Sequence, residues 1–305
     1  MFRYDHRPRR SRMVSWSPLA AASAALLVAA LSSGALAGDD RRSAHRWDNE
    51  WDDVFLHDWE QIGADTDGDN GDETPFSEAV VLAELNDTDG DLGFHASIDG
   101  DAWRLLEIED PNGRVVLRIR GRSPLRLQGL TQLFFESAEP TFDELTPEEF
   151  FARFPEGDYE VSGISTDGRE LESVAQFTHL LAAPADGVAV SGVPVDPDLV
   201  DCDEGPRPLV NEPVVIRWDP ITESHPEIGR TGEPVEIAKY QLVVERLEPT
   251  LLIYSVDLPP TLTALELPTD FTALGEVFKL EILAREISGN QTAIETCFEI
   301  RNQAP

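Results

Sequence analysis

The stretch "WRLLEIEDPNGRVVLRIR" occupies residues 103–120 and decides the fold class. Two runs of alternating apolar and polar residues, 103–109 and 114–120, flank the sequence Asp110-Pro111-Asn112-Gly113. Proline and glycine at these positions are typical of a reversing turn, and alternation with a period of two is typical of a strand with one buried face. The stretch therefore predicts a β-hairpin.

Similar short apolar runs, separated by turn residues, continue on both sides of this hairpin from Phe76 onwards. Regular spacing of such strands is typical of an antiparallel β-sandwich, which we predict for residues 76–182. The further strands predicted in this first domain are 79–85, 93–98, 130–136, 158–164 and 170–181.

One short helix is predicted within the first domain. Thr146 has the residue type of an N-cap, Pro147 suits the first helical position, and Glu149 lies at the capping-box position. The phenylalanines that follow would supply an apolar face, and Pro155 with Gly157 would end the helix.

A proline-rich connector is predicted at residues 183–212, with an edge strand near 187–191. A second β-rich domain follows at residues 213–301. Its predicted strands are 213–221, 237–247, 251–259, 264–268, 276–286 and 292–300.

The second domain carries a recognisable set of residues. Trp218 is followed by Pro220, Tyr240 lies in "IAKYQLVVE", and the stretch "LGEVFKLEILAREISGNQT" ends in a turn. This pattern resembles a fibronectin type III domain and covers about the C-terminal third of the chain. Phe278 stands where that family usually has a tyrosine, so the hydrogen bond of the tyrosine corner cannot form there.

The resemblance implies an immunoglobulin-like sandwich and a role as a spacer, adhesion or binding module in a secreted bacterial protein. The insertion 222–236 lengthens the connection between the strands that the resemblance labels B and C. Alternation along the strands predicts an inter-sheet core of Val215, Trp218, Tyr240, Leu242, Val244, Phe278, Leu280, Ile282 and Ala284.

The N-terminal residues are predicted to lie outside the fold. A basic segment with Arg9 and Arg10 precedes a thirteen-residue apolar run, 19–31, and Ala35-Leu36-Ala37 supplies small residues for cleavage. These features predict a signal peptide at 1–37 and a secreted or periplasmic protein. Residues 38–75 form an acidic arm, in which four aromatic residues spaced by four allow one amphipathic helix; a wholly disordered arm is the alternative.

The net charge of the chain limits the classes of partner that it can bind. Its 58 acidic residues against 24 Lys and Arg give a formal net charge of −34. Such a chain disfavours nucleic acid and anionic membranes, because binding to phosphate needs clustered cations. After the leader, no segment is apolar enough to span a membrane. We expect a protein or polysaccharide partner at the cell envelope or outside the cell.

The two cysteines, Cys202 and Cys297, are predicted to form one disulfide bond, because an oxidising compartment favours pairing. Neither has a second cysteine or a histidine at ligand spacing, so a metal or redox role is not expected.

The stretch "NDTDGDLGFHASIDGDAW", residues 86–103, holds the candidate metal ligands. Positions 1, 3 and 5 of an EF-hand are matched, but Leu92 and Ile98 stand where glycine and glutamate are required, so an EF-hand is excluded. A looser calcium site remains one reading, and an acidic turn without metal is the other. The five candidate ligands are Asp87, Asp89, Asp91, Asp99 and Asp101.

No catalytic motif accompanies these aspartates. The chain lacks a G-x-S-x-G elbow, an H-E-x-x-H pair and a glycine-rich phosphate loop. His95 and His179 lie in predicted strands and are expected to be satisfied sheet residues. The sequence thus predicts an all-β, non-catalytic binding, adhesion or spacer protein; the alternative is a calcium-dependent structural or assembly protein.

Overall fold

The computed structural model describes residues 74–195, Cys202, 207–246 and 248–301. They all belong to one compact unit that spans Asn70–Pro305. The predicted signal peptide, the aromatic residues of the arm and most of the connector lie outside the described residues. Among the described residues, no helix has the length and apolarity needed to cross a membrane.

The described chain is built mainly of strands, as the alternation predicts. Its first half contains β1 Glu78–Asn86, β2 Asp91–Glu109, β3 Val115–Arg120, α1 Ser123–Gln128, β4 Leu130–Glu136, α2 Pro147–Arg153, β5 Gly157–Ser165 and β6 Glu170–Phe177. Its second half contains β7 Ala189–Val190, β8 Val193–Pro194, β9 Leu209–Val210, β10 Val215–Arg217, β11 Ile237–Arg246, β12 Leu252–Leu258, β13 Ala264–Glu266, α3 Thr269–Thr272, β14 Val277–Glu286 and β15 Gln291–Ile300.

The first half is organised around β2, which is 19 residues long. Its N-terminal part pairs with β1 and β4, and its C-terminal part pairs with β5 and β3. Two separate strands, 93–98 and 103–109, were expected here. The strand instead continues through the Asp99–Asp101 segment with a register irregularity, because β4 pairs with β2 on both sides of it, at Asp99 and at Trp103. On the other edge, the partner changes from β1 to β5.

The first core and the short helix agree with the sequence. Trp103, Tyr159 and Phe177 are fully buried in a core drawn from residues 76–181. Thr146 accepts from the backbone of Glu149, whose carboxylate accepts from the Thr146 amide, so the predicted capping box is present. The helix α1 was not predicted.

The second half is a sandwich of two sheets. The four-stranded sheet β13-β10-β7-β8 faces the strands β12-β11-β14-β15. Trp218 and Tyr240 pack edge to face between the sheets, with ring centroids 5.3 Å apart, and the Tyr240 hydroxyl accepts from the Ile221 amide at 3.1 Å. Phe278 is fully buried against two other phenylalanine rings.

One predicted core position in the second half is wrong. Val215 is only partly buried, while Val214 and Ile216 are fully buried. Neighbouring residues of a strand point to opposite faces, so the inward set of β10 is shifted by one position from the prediction.

A parallel strand pair joins the two halves. Residues Glu84–Asn86 of β1 pair with Gln291–Ala293 of β15, and this contact merges both halves into one 11-stranded sheet. Eight of its strands lie in the order β12-β11-β14-β15-β1-β2-β5-β6, while β3 and β4 also pair with β2, and β9 pairs with β15. The two hydrophobic cores remain separate on either side of it. The domain limits 76–182 and 213–301 therefore stay proposals.

Asn290 fastens this junction from the turn before β15. Its side chain is fully buried; Oδ1 accepts from the Ala83 amide at 2.7 Å, and Nδ2 donates to the carbonyls of Thr178 and Leu180, each at 2.8 Å. Thr292 adds a bond from its hydroxyl to the Ala182 carbonyl at 2.8 Å. Each buried polar group of Asn290 is thus satisfied by the other half.

The insertion 222–236 makes a second attachment. Ile228 packs against the first core, and Arg230 forms an ion pair with Glu156 at 2.8 Å. The Arg230 amide donates to the His179 carbonyl at 2.9 Å, and a side chain at Gly229 would collide with that same carbonyl. The insertion therefore acts as a latch onto the first half.

The cysteines lie as the sequence predicts. Cys202 and Cys297 are at disulfide-bonding distance with their Cα atoms 5.6 Å apart, which ties the connector to β15.

We expect Asn290→Ala to destabilise the protein by about 3 kcal/mol, because it leaves a buried amide and two buried carbonyls without partners. Urea denaturation followed by circular dichroism measures this change. Asn112→Ala, at an exposed turn position, is the matched control and should change stability by less than about 0.5 kcal/mol. Equal effects of the two variants would contradict the role of Asn290.

Candidate functional site

The side of the large sheet that faces away from the second core carries an unusual set of charges. Cross-strand pairs place Glu281 beside Glu295, Glu245 beside Lys279, and His95 beside Glu136. We call this surface the acidic face; its members are Glu84, Asp91, His95, Glu136, Glu139, Glu245, Lys279, Glu281 and Glu295.

Strand alternation explains how the sequence builds this surface. In β14, Phe278, Leu280 and Ile282 point into the core, so Lys279 and Glu281 must point to the opposite side. The parallel pairing of β1 with β15 then continues the same face into the first half through Glu84 and Gln291. The acidic face consequently spans both halves.

Lys279 and His95 supply positive charge to the acidic face. The Lys279 ammonium contacts the Glu295 carboxylate at 2.6 Å. Burial is the largest influence and acts to lower the pKa of Lys279, but the hydrogen bond with Glu295 and the surrounding carboxylate charges together raise the pKa. The carboxylates outnumber these cations, so the face holds an excess of negative charge.

Burial and this excess of negative charge strongly raise the pKa of two carboxyl groups. Burial, followed by the charges of Glu295 and Glu84, raises the pKa of Glu281 to about 8. Burial, followed by the charge of Glu139, raises the pKa of Asp91 to about 7. At neutral pH Glu281 therefore holds a proton, and Asp91 is partly protonated, where an exposed carboxyl would be ionised.

His95 lies at the centre of the part contributed by the first half. Its side chain is 2% exposed; Nε2 lies 2.9 Å from Glu139 Oε1, and Nδ1 lies 3.6 Å from Glu84 Oε2. Burial acts to lower the pKa of His95, yet the hydrogen bond to Glu139 and the charge of Glu84 raise it. Burial raises the pKa of Glu84, although the charge of His95 opposes this effect.

Gly93 makes the contact between His95 and Glu139 possible. A Cβ atom at this position would overlap the Glu139 carboxylate and approach the His95 ring at 2.7 Å. The carboxylate can therefore lie over the strand only where a side chain is missing.

Within the described ranges, one group of three or more side chains has metal-ligating atoms close enough to share an ion. These side chains are His95, Glu136 and Glu139, with ligand atoms that all lie within 4.8 Å of one another. None of the five predicted aspartates belongs to this group.

The five aspartates are divided between the two ends of a strand segment. Asp91 begins β2 opposite Asn86, whereas Asp99 pairs with Glu78 eight residues further along. Eight extended residues span about 27 Å, so Asp99 and Asp101 cannot join the first three aspartates around one ion. Asp101 instead pairs with Arg169 at 2.8 Å.

The turn that holds the first three aspartates closes with its own hydrogen bonds. The Asn86 side chain accepts from the Asp89 amide at 3.2 Å, and Asp87 contacts His225 Nε2 at 2.8 Å. Because His225 Nδ1 accepts from the Ile228 amide, its Nε2 must carry the proton that is donated to Asp87. Calcium binding by the three aspartates Asp87, Asp89 and Asp91 stays a prediction.

The group of His95, Glu136 and Glu139 was not predicted from the sequence, because its members come from separate segments of the chain. Glu136 and Glu139 lie more than 40 residues from His95 along the chain. The usable signal was the polar residue at the end of the predicted strand 130–136, which pairing with β2 brings beside His95.

Comparisons with known proteins do not assign the chain to a family. No protein-family model matches it, and no curated protein matches it. A solved structure on host cell surface retention of a 1.5-MDa bacterial ice-binding adhesin matches with 11% identity and a TM-score of 0.23, covering 76% of this chain and 67% of that one.

Two further solved structures match at the same level. The tetra-tandem repeat in the extending region of a large adhesion protein has 12% identity and a TM-score of 0.22, covering 73% of this chain and 50% of that one. The chicken CNTN1 FN1-FN3 domains have 10% identity and a TM-score of 0.24, covering 74% and 68%. Such scores carry no argument about function, which rests on the residues of this chain.

We expect the free energy of unfolding to fall as pH rises from about 4.5 to 8. Glu281 keeps its proton up to about pH 8 in the folded protein, whereas the unfolded chain releases it near 4.5, so the folded state binds more protons across this window. Glu281→Gln should weaken this dependence and raise the Tm at pH 8.5 by a few degrees, since about 1 kcal/mol corresponds to about 2–4 °C.

Thermal melts at pH 5 and pH 8.5 measure the effect. The matched control is Glu266→Gln on β13, where the carboxylate is exposed and the substitution should leave both melting temperatures unchanged. A Glu281→Gln protein with the same pH dependence as the parent would show that Glu281 is not the group responsible.

Proposed function

We propose that the protein is a secreted, non-catalytic spacer and binding protein, built from two β-sandwich modules of which the second is of the fibronectin type III kind. The observation that carries this proposal is the pairing of β1 with β15, which continues one sheet through both modules. A spacer must hold its ends at a fixed separation, and a shared sheet fixes both the distance and the rotation between modules.

The contacts around the shared sheet support the same role. Two modules joined only by a connector move relative to one another, because interfaces between domains are usually small and polar. Here the Asn290 hydrogen bonds add one restraint, and the insertion 222–236 adds a second through the Arg230–Glu156 pair and the apolar contact of Ile228. The two restraints act on different segments, so bending at the junction would have to break both together.

The topology of the second module supports the fibronectin type III assignment. Trp218 directly follows β10, which lies between β13 and β7 in one sheet. Tyr240 lies on β11 of the facing sheet β12-β11-β14-β15. This is the two-sheet arrangement that the resemblance implies, with the buried tryptophan and tyrosine in contact across it.

The charge of the chain supports a neutral or cationic partner. A net charge of −34 keeps copies apart in solution and repels anionic surfaces. With the predicted signal peptide, this favours a protein or polysaccharide partner at the cell envelope or in the medium.

Pulsed EPR tests the spacer role directly. Spin labels at Val174→Cys on β6 and Ile253→Cys on β12 mark opposite edges of the sheet, where both side chains are exposed. Seven strand spacings separate these edges, no more than about 34 Å between strand axes. We expect one narrow distance distribution, as a single rigid body requires.

A labelled pair within one module, Val174→Cys with Asp99→Cys, gives the width that a single domain produces. The distribution between modules should be no broader than this reference. A broad or two-peaked distribution between modules would contradict a spacer and leave only a flexible tether.

A further inference from the structure

We propose that His95, Glu136 and Glu139 form a binding site for a transition-metal dication of the zinc class. The proposal concerns a different site from the predicted calcium turn, and it stands independently of the spacer role.

The donor set is the first argument. One imidazole nitrogen and two carboxylate oxygens are ligands that zinc accepts, and zinc sites with three protein ligands leave the fourth position to water. Calcium instead requires six to eight oxygen ligands, and an imidazole is not among them. The mixture of nitrogen and oxygen donors therefore selects a transition metal over calcium.

The distances are the second argument. Two atoms bound to one zinc ion at about 2.1 Å lie about 3.4 Å apart in a tetrahedral site. His95 Nε2 and Glu139 Oε1 lie 2.9 Å apart, and all three ligand atoms lie within 4.8 Å of one another. The spacing of the three ligand atoms is therefore on the scale of a single ion site.

The orientation of the imidazole is the third argument. Ligating histidines usually direct their second ring nitrogen at a carboxylate, which fixes the ring and the tautomer. Nδ1 of His95 faces Glu84 across 3.6 Å, so Nε2 is the nitrogen left to face Glu136 and Glu139. Glu84 is therefore the positioning residue, and it does not bind the ion.

The surroundings are the fourth argument. Gly93 leaves space beneath the Glu139 carboxylate that a side chain would fill, and His95 is held rigidly in β2 between two paired strands. Glu84, Glu136 and Glu139 lie around the single histidine of this group, so carboxylates outnumber the imidazole. A dication would neutralise this excess in a place where water can only partly screen it.

Isothermal titration of the untagged, metal-free full chain with zinc chloride tests the proposal. We expect one zinc ion per chain at this site, with affinity lowered about 10- to 100-fold by Glu84→Gln and at least as much by Glu136→Gln or Glu139→Gln. Glu136 is only half-buried, so Glu136→Gln should keep the circular dichroism spectrum of the parent.

Two controls separate this site from other donors. Glu160→Gln, exposed on β5, and His45→Asn, in the acidic arm, should leave the affinity of this site unchanged. X-ray absorption at the zinc edge should give one imidazole nitrogen with oxygen ligands. Zinc binding that is unaltered in Glu136→Gln and Glu139→Gln, or no binding by the folded parent, would overturn the proposal.

Discussion

The structure depends on three residue pairs in which β1 lies parallel to β15. Each half of the described chain forms its own hydrophobic core, and Ile228 of the insertion is the contact that the second half makes with the first core. The backbone bonds of the junction, together with the buried side chain of Asn290, are what convert two sandwiches into one body. Because a buried amide or carbonyl without a partner is costly, these polar groups demand one arrangement of the halves. An apolar interface of similar size would tolerate sliding.

The same strand pair creates the acidic face. It aligns Glu84 of the first half with the side of β14 and β15 that carries Glu281 and Glu295, so carboxylates from both halves share one surface. Burial, followed by repulsion between carboxylates, raises the pKa of Glu281 and of Glu84, and Lys279 and His95 compensate part of the negative charge locally. Rigidity at the junction and excess negative charge thus have a common origin. A dication bound at His95, Glu136 and Glu139 would relieve part of that repulsion.

Local structure was accessible from the sequence, because its causes lie within a few residues. The turn after Glu109, the capping box at Thr146 and the buried pair Trp218 and Tyr240 all follow from residue type and spacing. Contacts between distant segments could not be predicted from the sequence. No local pattern near residue 84 indicates that it pairs with a strand near residue 291, and the proposed metal-binding group joins β2 to residues more than 40 positions away. The five aspartates are close in sequence, but the extended strand between them separates Asp99 and Asp101 from the other three in space.

The NMR signals of two tryptophan side chains, Trp103 and Trp218, test the central claim that the two halves form one body and therefore unfold together. Trp103 is buried in the first core and Trp218 in the second, so the NMR signals of their ring N–H groups report on each half separately. In a urea titration, both native signals should disappear with the same midpoint. Separate midpoints, with the native signal of one tryptophan persisting after the other is lost, would contradict the claim.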